Sequence, residues 1–407
     1  MPAAPTPPTG TSVVRAINAR AALRLMLDEG PQSRPEIAAR LSVSKPTASH
    51  LLAQLHADGL VHSDGNRDGA IGRAAELFRV DATSAYAASI DVTPERIVAV
   101  VVDLVGQRVG EHVLLTPDAE DAENAESSGA ADRVHLVVSA ACAEAGISLT
   151  ALHLVVIGIQ GAIDPVADRL RFAAHLPGWQ GAGLVASLQD RLGVPVAIEN
   201  DVNLVAIAER AHGVAADQDG VAVLWVSDGI GMGLMFGGRI HRGLTGGAGE
   251  IADLSVPGAP TPQESPGFGT GGMQALAGGP ALGRVLADHG FDQGTPEQAM
   301  RAAAASDALP AELAIDEIAR RLVLGLTAVI AILDPDLIVL AGDLALAGGE
   351  RLRARVEARL RAAVVARPLV LLSGLEENAV LDGGLRLALT RVQDQVVDTV
   401  SGGQRPD

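Results

Sequence analysis

A boundary near Thr83 constrains this chain more than any other single feature. Before it, apolar residues recur at helical spacing in short blocks. After it, β-rich runs give way to helical ones, and that pattern starts twice. Charge changes at the same place. Residues 1–83 carry nine basic and eight acidic side chains, the remainder 22 and 41, so the formal charge of −18 belongs almost wholly to the second part. Taken alone, that charge argues against nucleic acid, because phosphate contacts need Lys and Arg; the division lifts the objection for the first segment. A chain of 407 residues also exceeds the span of one hydrophobic core. The expected organisation is a flexible tail at 1–12, one domain at 13–83, a second at 84–396 and a flexible tail at 397–407.

Aromatic residues are only 2% of the chain, which excludes stacking platforms for single-stranded nucleic acid. The one cysteine, Cys142, cannot form an intramolecular disulfide or a multi-cysteine zinc site. No run of about 20 apolar residues is present, and the first ten residues lack the basic and apolar regions of a signal peptide. A soluble, cytoplasmic protein without a membrane partner is expected.

The first segment reads as a winged helix-turn-helix. Val14, Ile17, Ala21 and Leu25 lie at helical spacing, and Gly30-Pro31 ends that helix. Ser33 and Glu36 form a capping box for a second helix reaching about Leu41. After a Ser42-Val43 turn, Ser44 caps a third helix whose apolar face is Ala48, Leu51, Leu52 and Leu55. Its other surfaces carry Ser44, Lys45, Thr47, Ser49 and His50, and Lys45 is the only lysine in the chain. Hydroxyls and a cation on such a helix suit phosphates and base edges in the major groove of double-stranded DNA. Strands at Leu60–His62 and Glu76–Val80 would flank a wing, Ser63–Arg73, with Arg67 and Arg73 near its ends. Three amphipathic helices also pack proteins without touching DNA, and that reading stands beside the first.

In the second segment, Ala87–Val92, Arg96–Asp103 and Arg108–Leu115 predict an antiparallel meander, and a polar, acidic loop follows over Leu115–Ala131. A helix at Asp132–Ala145, strands at Leu152–Ile159 and Val194–Ile198 and a helix at Val202–His212 come next. The pattern restarts with strands at Gly220–Val226, around Leu234 and Arg239, and at Leu337–Leu340, then a helix at Arg351–Val364. Two α/β lobes with a cleft between them are expected.

Six motifs in order carry a family resemblance: Ile157-Gly158-Ile159-Gln160-Gly161-Ala162-Ile163-Asp164; His175-Leu176-Pro177-Gly178-Trp179; Glu199-Asn200-Asp201-Val202-Asn203; Ser227-Asp228-Gly229-Ile230-Gly231-Met232-Gly233; Gly243-Leu244-Thr245-Gly246-Gly247-Ala248-Gly249-Glu250-Ile251; and Pro335-Asp336-Leu337-Ile338-Val339-Leu340-Ala341-Gly342. Together with the N-terminal segment they make the chain resemble a ROK transcriptional regulator, from the repressor branch of the repressor/sugar-kinase family. The resemblance implies an α/β chain: an N-terminal winged helix-turn-helix followed by a two-lobed sugar-kinase/actin-like ATPase fold with a central cleft.

In that family Asp201 stands at the position of the catalytic base, with Asn200 beside it; capping of the following helix is the structural alternative. The resemblance places His175, Asn200, Asp201, Glu250, Asp253 and Gln274 at effector contacts, with His175, Asp253 and Gln274 altered in type. The phosphate loops read as vestigial. The family's Asp-x-Gly-Gly-Thr is Asp91-Val92-Thr93-Pro94-Glu95-Arg96 here, where Pro94 lacks an amide donor and Glu95 adds a negative charge. In the second loop a Gly-Thr becomes Ser227-Asp228, so that Gly229, Gly231 and Gly233 read as retained turn geometry. No ATP chemistry is expected. The family's zinc ligands fall on Asp253, Ser265, Gly267 and Gly272, with Gln274 in place of a closing Glu, so no metal and no cofactor are expected.

Three functions stay open: a regulator, specifically a repressor, answering to a sugar or sugar-derived effector; a sugar kinase with an accessory helix-turn-helix; and an effector-independent DNA-binding protein on a relic kinase fold. The resemblance further implies a homodimer or homotetramer that presents paired heads to an inverted-repeat operator.

Overall fold

The computed structural model describes residues 10–67, 75–116, 129–164, 168–171, 176, 178–265, 269–375 and 378–400. The head is built from α1 (Gly10–Glu29), β1 (Gln32–Ser33), α2 (Arg34–Arg40), α3 (Lys45–Ala57), β2 (Val61–Arg67) and β3 (Ala75–Val80). The expected capping box is present: Ser33 Oγ accepts from the Glu36 amide, and the Ser33 amide donates to Glu36. Ser44 caps α3, which buries Ala48, Leu51, Leu52 and Leu55. The first helix presents a different face from the one expected. Val14 and Ile17 are exposed, while Ala19, Ala22, Leu23 and Met26 are buried. An Ala- and Leu-rich helix offers more than one apolar stripe, and packing selects among them.

The wing also differs. Ser63–Arg67 continues β2 instead of forming a loop, and the residues from 68 to 74, including Arg73, lie outside the described set. Gln32 and Ser33 add a third strand, in the order β1-β3-β2, which periodicity could not reveal in two residues.

The first lobe has the meander β4 (Tyr86–Val92), β5 (Arg96–Asp103) and β6 (Arg108–Leu115), then α4 (Ala130–Glu144) and β7 (Leu152–Ile159). A short hairpin, β8 (Ala162–Asp164) with β9 (Arg169–Arg171), precedes α5 (Leu184–Leu192), β10 (Val196–Asn200) and α6 (Asp201–His212). The expected polar loop lies mostly within residues 117–128, outside the described set.

In the second lobe come β11 (Gly220–Val226), β12 (Ile230–Phe236) and β13 (Arg239–Ile240). Five helices follow: α7 (Gly272–Ala277), α8 (Gly279–Asp288), α9 (Pro296–Ala304), α10 (Leu309–Leu333) and, after β14 (Leu337–Ala341), α11 (Asp343–Ala363). The chain ends in β15 (Leu369–Leu372) and α12 (Ala379–Thr399). The two tails are therefore shorter than expected: Gly10–Ser12 are helical, and α12 continues to Thr399 with Val397 buried.

The lobes share one design. Each sheet has an antiparallel meander, a fourth strand parallel to the first of the meander and a fifth parallel to the fourth, in the orders β10-β7-β4-β5-β6 and β13-β12-β11-β14-β15. Their central strands are apolar on both faces, as sheets covered on both sides require. Along β5, Ile97, Ala99 and Val101 pack with α4 and α5, whereas Val98, Val100 and Val102 face the molecule's central cluster. On β11 and β14 the same alternation divides Val221, Val223, Leu337 and Val339 from Ala222, Leu224, Ile338 and Leu340.

Between the sheets the closing helices cross. Helix α6, which leaves the first lobe, packs on β11 and β12 of the second; α12, which leaves the second, packs on β4 and β7 of the first; and the two helices pack on each other. Glycines make this possible. A Cβ on Gly383 would lie 1.9 Å from the Leu204 carbonyl oxygen, one on Gly384 2.0 Å from Ser89 Oγ, one on Gly158 2.5 Å from Val380 and one on Gly233 2.6 Å from the Val202 carbonyl oxygen. Helix propensity alone would make Gly383→Ala stabilising by about 1 kcal/mol. Crowding at the crossing is expected to reverse the sign and cost about 3 kcal/mol or more. Thermal melts should show this loss for Gly383→Ala and none for Gly181→Ala, where a Cβ meets nothing within 4 Å.

Candidate functional site

Two surfaces hold the expected site residues. On the head, Lys45, Ser49 and His50 are exposed on α3. Ser44 and Thr47 serve the helix first: Ser44 Oγ accepts the Thr47 amide at 3.3 Å and lies 2.8 Å from Thr47 Oγ1. Most of the head's cations are already paired. Arg34 bonds Glu76 at 2.6 Å and stacks 4.6 Å from the Phe78 ring centroid; Arg79 bonds Asp64 at 2.9 Å; Arg40 pairs with Glu29, and Arg20 and Arg24 pair with Asp398 and Asp394 of α12. Arg15 and Lys45 have no acidic partner among the described residues. Arg67 is placed by its backbone in β2, and Arg73 is outside the described residues.

In the cleft, β10 runs directly into α6 and sets Asn200 and Asp201 at the junction. Asn200 takes the capping role: its Oδ1 accepts from the Asn203 amide at 3.1 Å, and its Nδ2 donates to the Gly161 carbonyl at 3.1 Å. Asp201 opens the helix with Oδ1 on the Val202 amide at 2.8 Å. Burial, reinforced by the charge of Asp91, pushes the Asp201 carboxyl up to about 6. Burial likewise pushes Glu250 up to about 7, with Asp201 and Asp253 adding to it. Glu250 is fixed by the close approach of Gly249, where a Cβ would lie 2.0 Å from the Met232 carbonyl oxygen. Asp253 is exposed at the end of a short turn, Ile251–Asp253, and His175 lies outside the described residues.

Gln274 is engaged in structural bonds. Its Nε2 donates to the Asp228 carbonyl at 2.9 Å and its Oε1 accepts from the Ile230 amide at 2.9 Å, so both ends of the amide clamp the Ser227–Ile230 turn. The Asp228 carbonyl also accepts from the Gly279 amide, and the Ser227 amide donates to the Gly229 carbonyl. Of the three glycines read as turn geometry only Gly229 lies in a turn. Gly231 and Gly233 are in β12, where they admit α6: a Cβ on Gly231 would lie 3.1 Å from Val202.

The segment expected to correspond to the first phosphate loop is a hairpin closed on itself. The Thr93 amide donates to the Arg96 carbonyl at 2.9 Å, and the Arg96 amide donates to Thr93 Oγ1 at 3.3 Å. Asp91 is buried and accepts from Asn378 Nδ2 at 2.7 Å; desolvation raises its pKa. Of the positions that the resemblance assigns to zinc, Gly267 lies outside the described residues and Gly272 has no side chain to offer a metal. Gly272 has a φ of +60°, and a Cβ there would lie 2.6 Å from the Ala252 carbonyl oxygen, while Gln274 is held on the turn.

A cavity of about 150 Å³ opens beside Asn200, lined by Ala162, Ile163, Ile198, Glu199, Arg242, Gly243 and Gly246. Of the five expected effector residues that are described, only Asn200 lines it. Glu199 and Arg242 are additions. Glu199 was visible as a carboxylate ending an apolar strand, but its ion pair with Arg242, 43 residues away, carries no local signal.

The sequence model of the ROK family matches residues 87–391, and that of the IclR helix-turn-helix domain matches residues 18–65. The chain belongs to the ROK family. It is 25% identical over 245 residues to a putative xylose repressor of Caldicellulosiruptor sp. strain Rt8B.4, a match that covers 60% of each chain. Among solved structures, a ROK hexokinase from Thermus thermophilus is 28% identical with a TM-score of 0.62, covering 76% of this chain and 99% of the other. A ROK family transcriptional regulator, described as a homologue of the E. coli MLC protein, shares the fold over 95% of this chain and 99% of its own at a TM-score of 0.72 and 18% identity. Among the described residues, no helix is long and apolar enough to cross a membrane.

The raised acids of this ROK chain make its stability depend on pH. Glu250 normally titrates near 4.5, and the folded state keeps its proton up to about 7; Asp201 behaves alike between 3.8 and about 6. This favours the fold fully below about pH 4, and the advantage is lost as pH rises through 6 and 7. Glu250→Gln is therefore expected to gain on the parent by about 1–3 kcal/mol between pH 4.5 and 7. Parallel denaturation curves across that window would contradict the assignment.

Proposed function

We propose that this ROK family chain is a DNA-binding transcriptional regulator, acting as a repressor, whose cleft binds a sugar or sugar-derived effector. The observation that carries this reading is the pairing of an exposed, capped third helix in the head with a kinase fold whose phosphate-loop groups are committed to internal bonds. The Ser227–Ile230 turn is held by Gln274 and Gly279, and the Thr93–Arg96 hairpin by its own amides. Phosphoryl transfer needs such donors for the polyphosphate. The names of relatives favour the same reading: one is called a putative xylose repressor, another a transcriptional regulator. The sugar-kinase reading rests on the hexokinase likeness and on Asp201, which the family resemblance puts at the position of the catalytic base. In the proposed role the chain uses neither zinc nor ATP, and its place is the cytoplasm with the DNA.

A head in which Lys45 and Arg15 are the described cations without acidic partners binds weakly alone, so a homodimer or homotetramer on an inverted repeat fits the charge. Lys45→Ala is expected to weaken operator binding several-fold and reduce its salt slope by about one, read by titration at several salt concentrations. An unchanged slope would move the DNA contact elsewhere. Asp201→Asn should leave sugar-free operator binding intact and remove the response to sugar. Sustained sugar-dependent ADP release by the pure protein would overturn the non-enzymatic assignment.

A further inference from the structure

The lobes are tied together at both ends of α6, and the two ties differ in kind. Residues 213–219 carry the chain from α6 into the second lobe, and Ser373 and Gly374 begin its return to α12. One carboxylate holds both crossings. Glu209, in the last turn of α6, is fully buried; its Oε2 accepts from the Val214 amide at 2.8 Å, and its Oε1 accepts from Ser373 Oγ at 2.5 Å and from the Gly374 amide at 3.2 Å. Packing there is tight: a Cβ on Gly213 would lie 2.0 Å from Glu209 Oε2. This end of α6 is fixed.

The other tie is an ion pair across the cleft. Glu199, on β10 of the first lobe, is buried, and its Oε1 accepts from Asn203 Nδ2 at 2.9 Å and from the Asn200 amide at 3.2 Å. Bonds within its own lobe therefore hold it in place. Its Oε2 accepts from Nε and one terminal amine of Arg242 at 2.7 and 2.5 Å. Arg242 follows β13 of the second lobe, keeps 42% of its side-chain exposure and has no second acidic partner among the described residues. The segment after it turns on left-handed glycines, with φ of +68° at Gly243, +80° at Gly246 and +92° at Gly249. Arg242 is thus the releasable half of the pair.

We propose that the Glu199–Arg242 pair is a latch across the cleft, and that the lobes part by rotation about the Glu209 end of α6. Helix α6 has 12 residues and a length of about 18 Å, so a turn of about 15° at one end carries the other by about 5 Å, enough to separate the pair. Release strands neither charge, because opening returns both to water. The cavity beside Asn200 takes its walls from both lobes, Ile198 and Glu199 on one side and Arg242 and Gly243 on the other, so the latch governs its width. This device acts whatever molecule the cleft takes and does not depend on the sugar reading.

The test is pulsed dipolar spectroscopy on the full chain with spin labels at Ser187→Cys on α5 and Ala287→Cys on α8, exposed helix positions in different lobes. Native Cys142 is buried, which pushes its thiol up to about 11, so it stays unlabelled. Arg242→Met and Glu199→Gln each remove one half of the latch, and the second keeps an oxygen for Asn203 and Asn200. Each should add a population with a label separation longer by about 5 Å. The double variant should add no more than either single one, since partners in one interaction are not additive. Arg239→Met, which removes an exposed cation of β13 outside the latch, should keep the parent distance. A second label pair, Ser187→Cys with Ala216→Cys beside the fixed end, should keep one distance throughout. An unchanged distance in either latch variant, additive effects in the double variant, the same change in Arg239→Met or an equal change at the Ala216 pair would overturn the latch and its axis.

Discussion

The crossing of α6 and α12 is the constraint on which the molecule depends. Each helix leaves one lobe and covers the sheet of the other, so neither sheet has a complete core without its neighbour. The helices approach until backbone meets backbone, with Gly383 against the Leu204 carbonyl, and strand β12 comes equally close to α6 at Gly233 and the Val202 carbonyl. Glycine inside a helix or strand ordinarily weakens it. Here that weakness is offset by a buried cluster that runs without a break from one sheet, through both helices, to the other.

The same two helices organise function. The first turn of α6 presents Asn200 and Asp201 to the cleft. Just before α12, Asn378 bonds Asp91 in the floor of the first lobe; at the far end Val392, Val396 and Val397 join Leu23 and Met26 of the head in one cluster, and Asp394 and Asp398 pair with Arg24 and Arg20. A single 21-residue helix, with its cap Asn378, thus joins the floor of the first lobe to the head. A ligand shifts such an arrangement only through unequal affinity for its states. The helix supplies a packed route between the two sites.

Much of this was legible in the residues. Period-two and period-3.6 patterns located the meanders, the third helix of the head and its four core leucine and alanine positions, because those segments bury one well-marked face. Ser33 with Glu36 and Ser44 announced helix starts through a local bond that sequence spacing alone defines. Where a helix is apolar on several sides, as α1 is, spacing could not say that Ala19, Leu23 and Met26 would face inward and Val14 outward. Gln274 looked like a polar cleft residue, since nothing local shows an amide reaching 46 residues back to Asp228. The role of Gly231 and Gly233 in admitting α6 against β12, the two-residue strand β1 and the Glu199–Arg242 pair are likewise products of tertiary contact.

In the proposed role, cleft and head are thermodynamically linked within one chain. The linkage is read by measuring the affinity of the tightest-binding sugar for the free protein and for the protein saturated with its operator. Linkage requires the sugar's affinity and the operator's to change by the same factor, and a factor of about five or more is predicted. Equal sugar affinities in the two states would contradict the account.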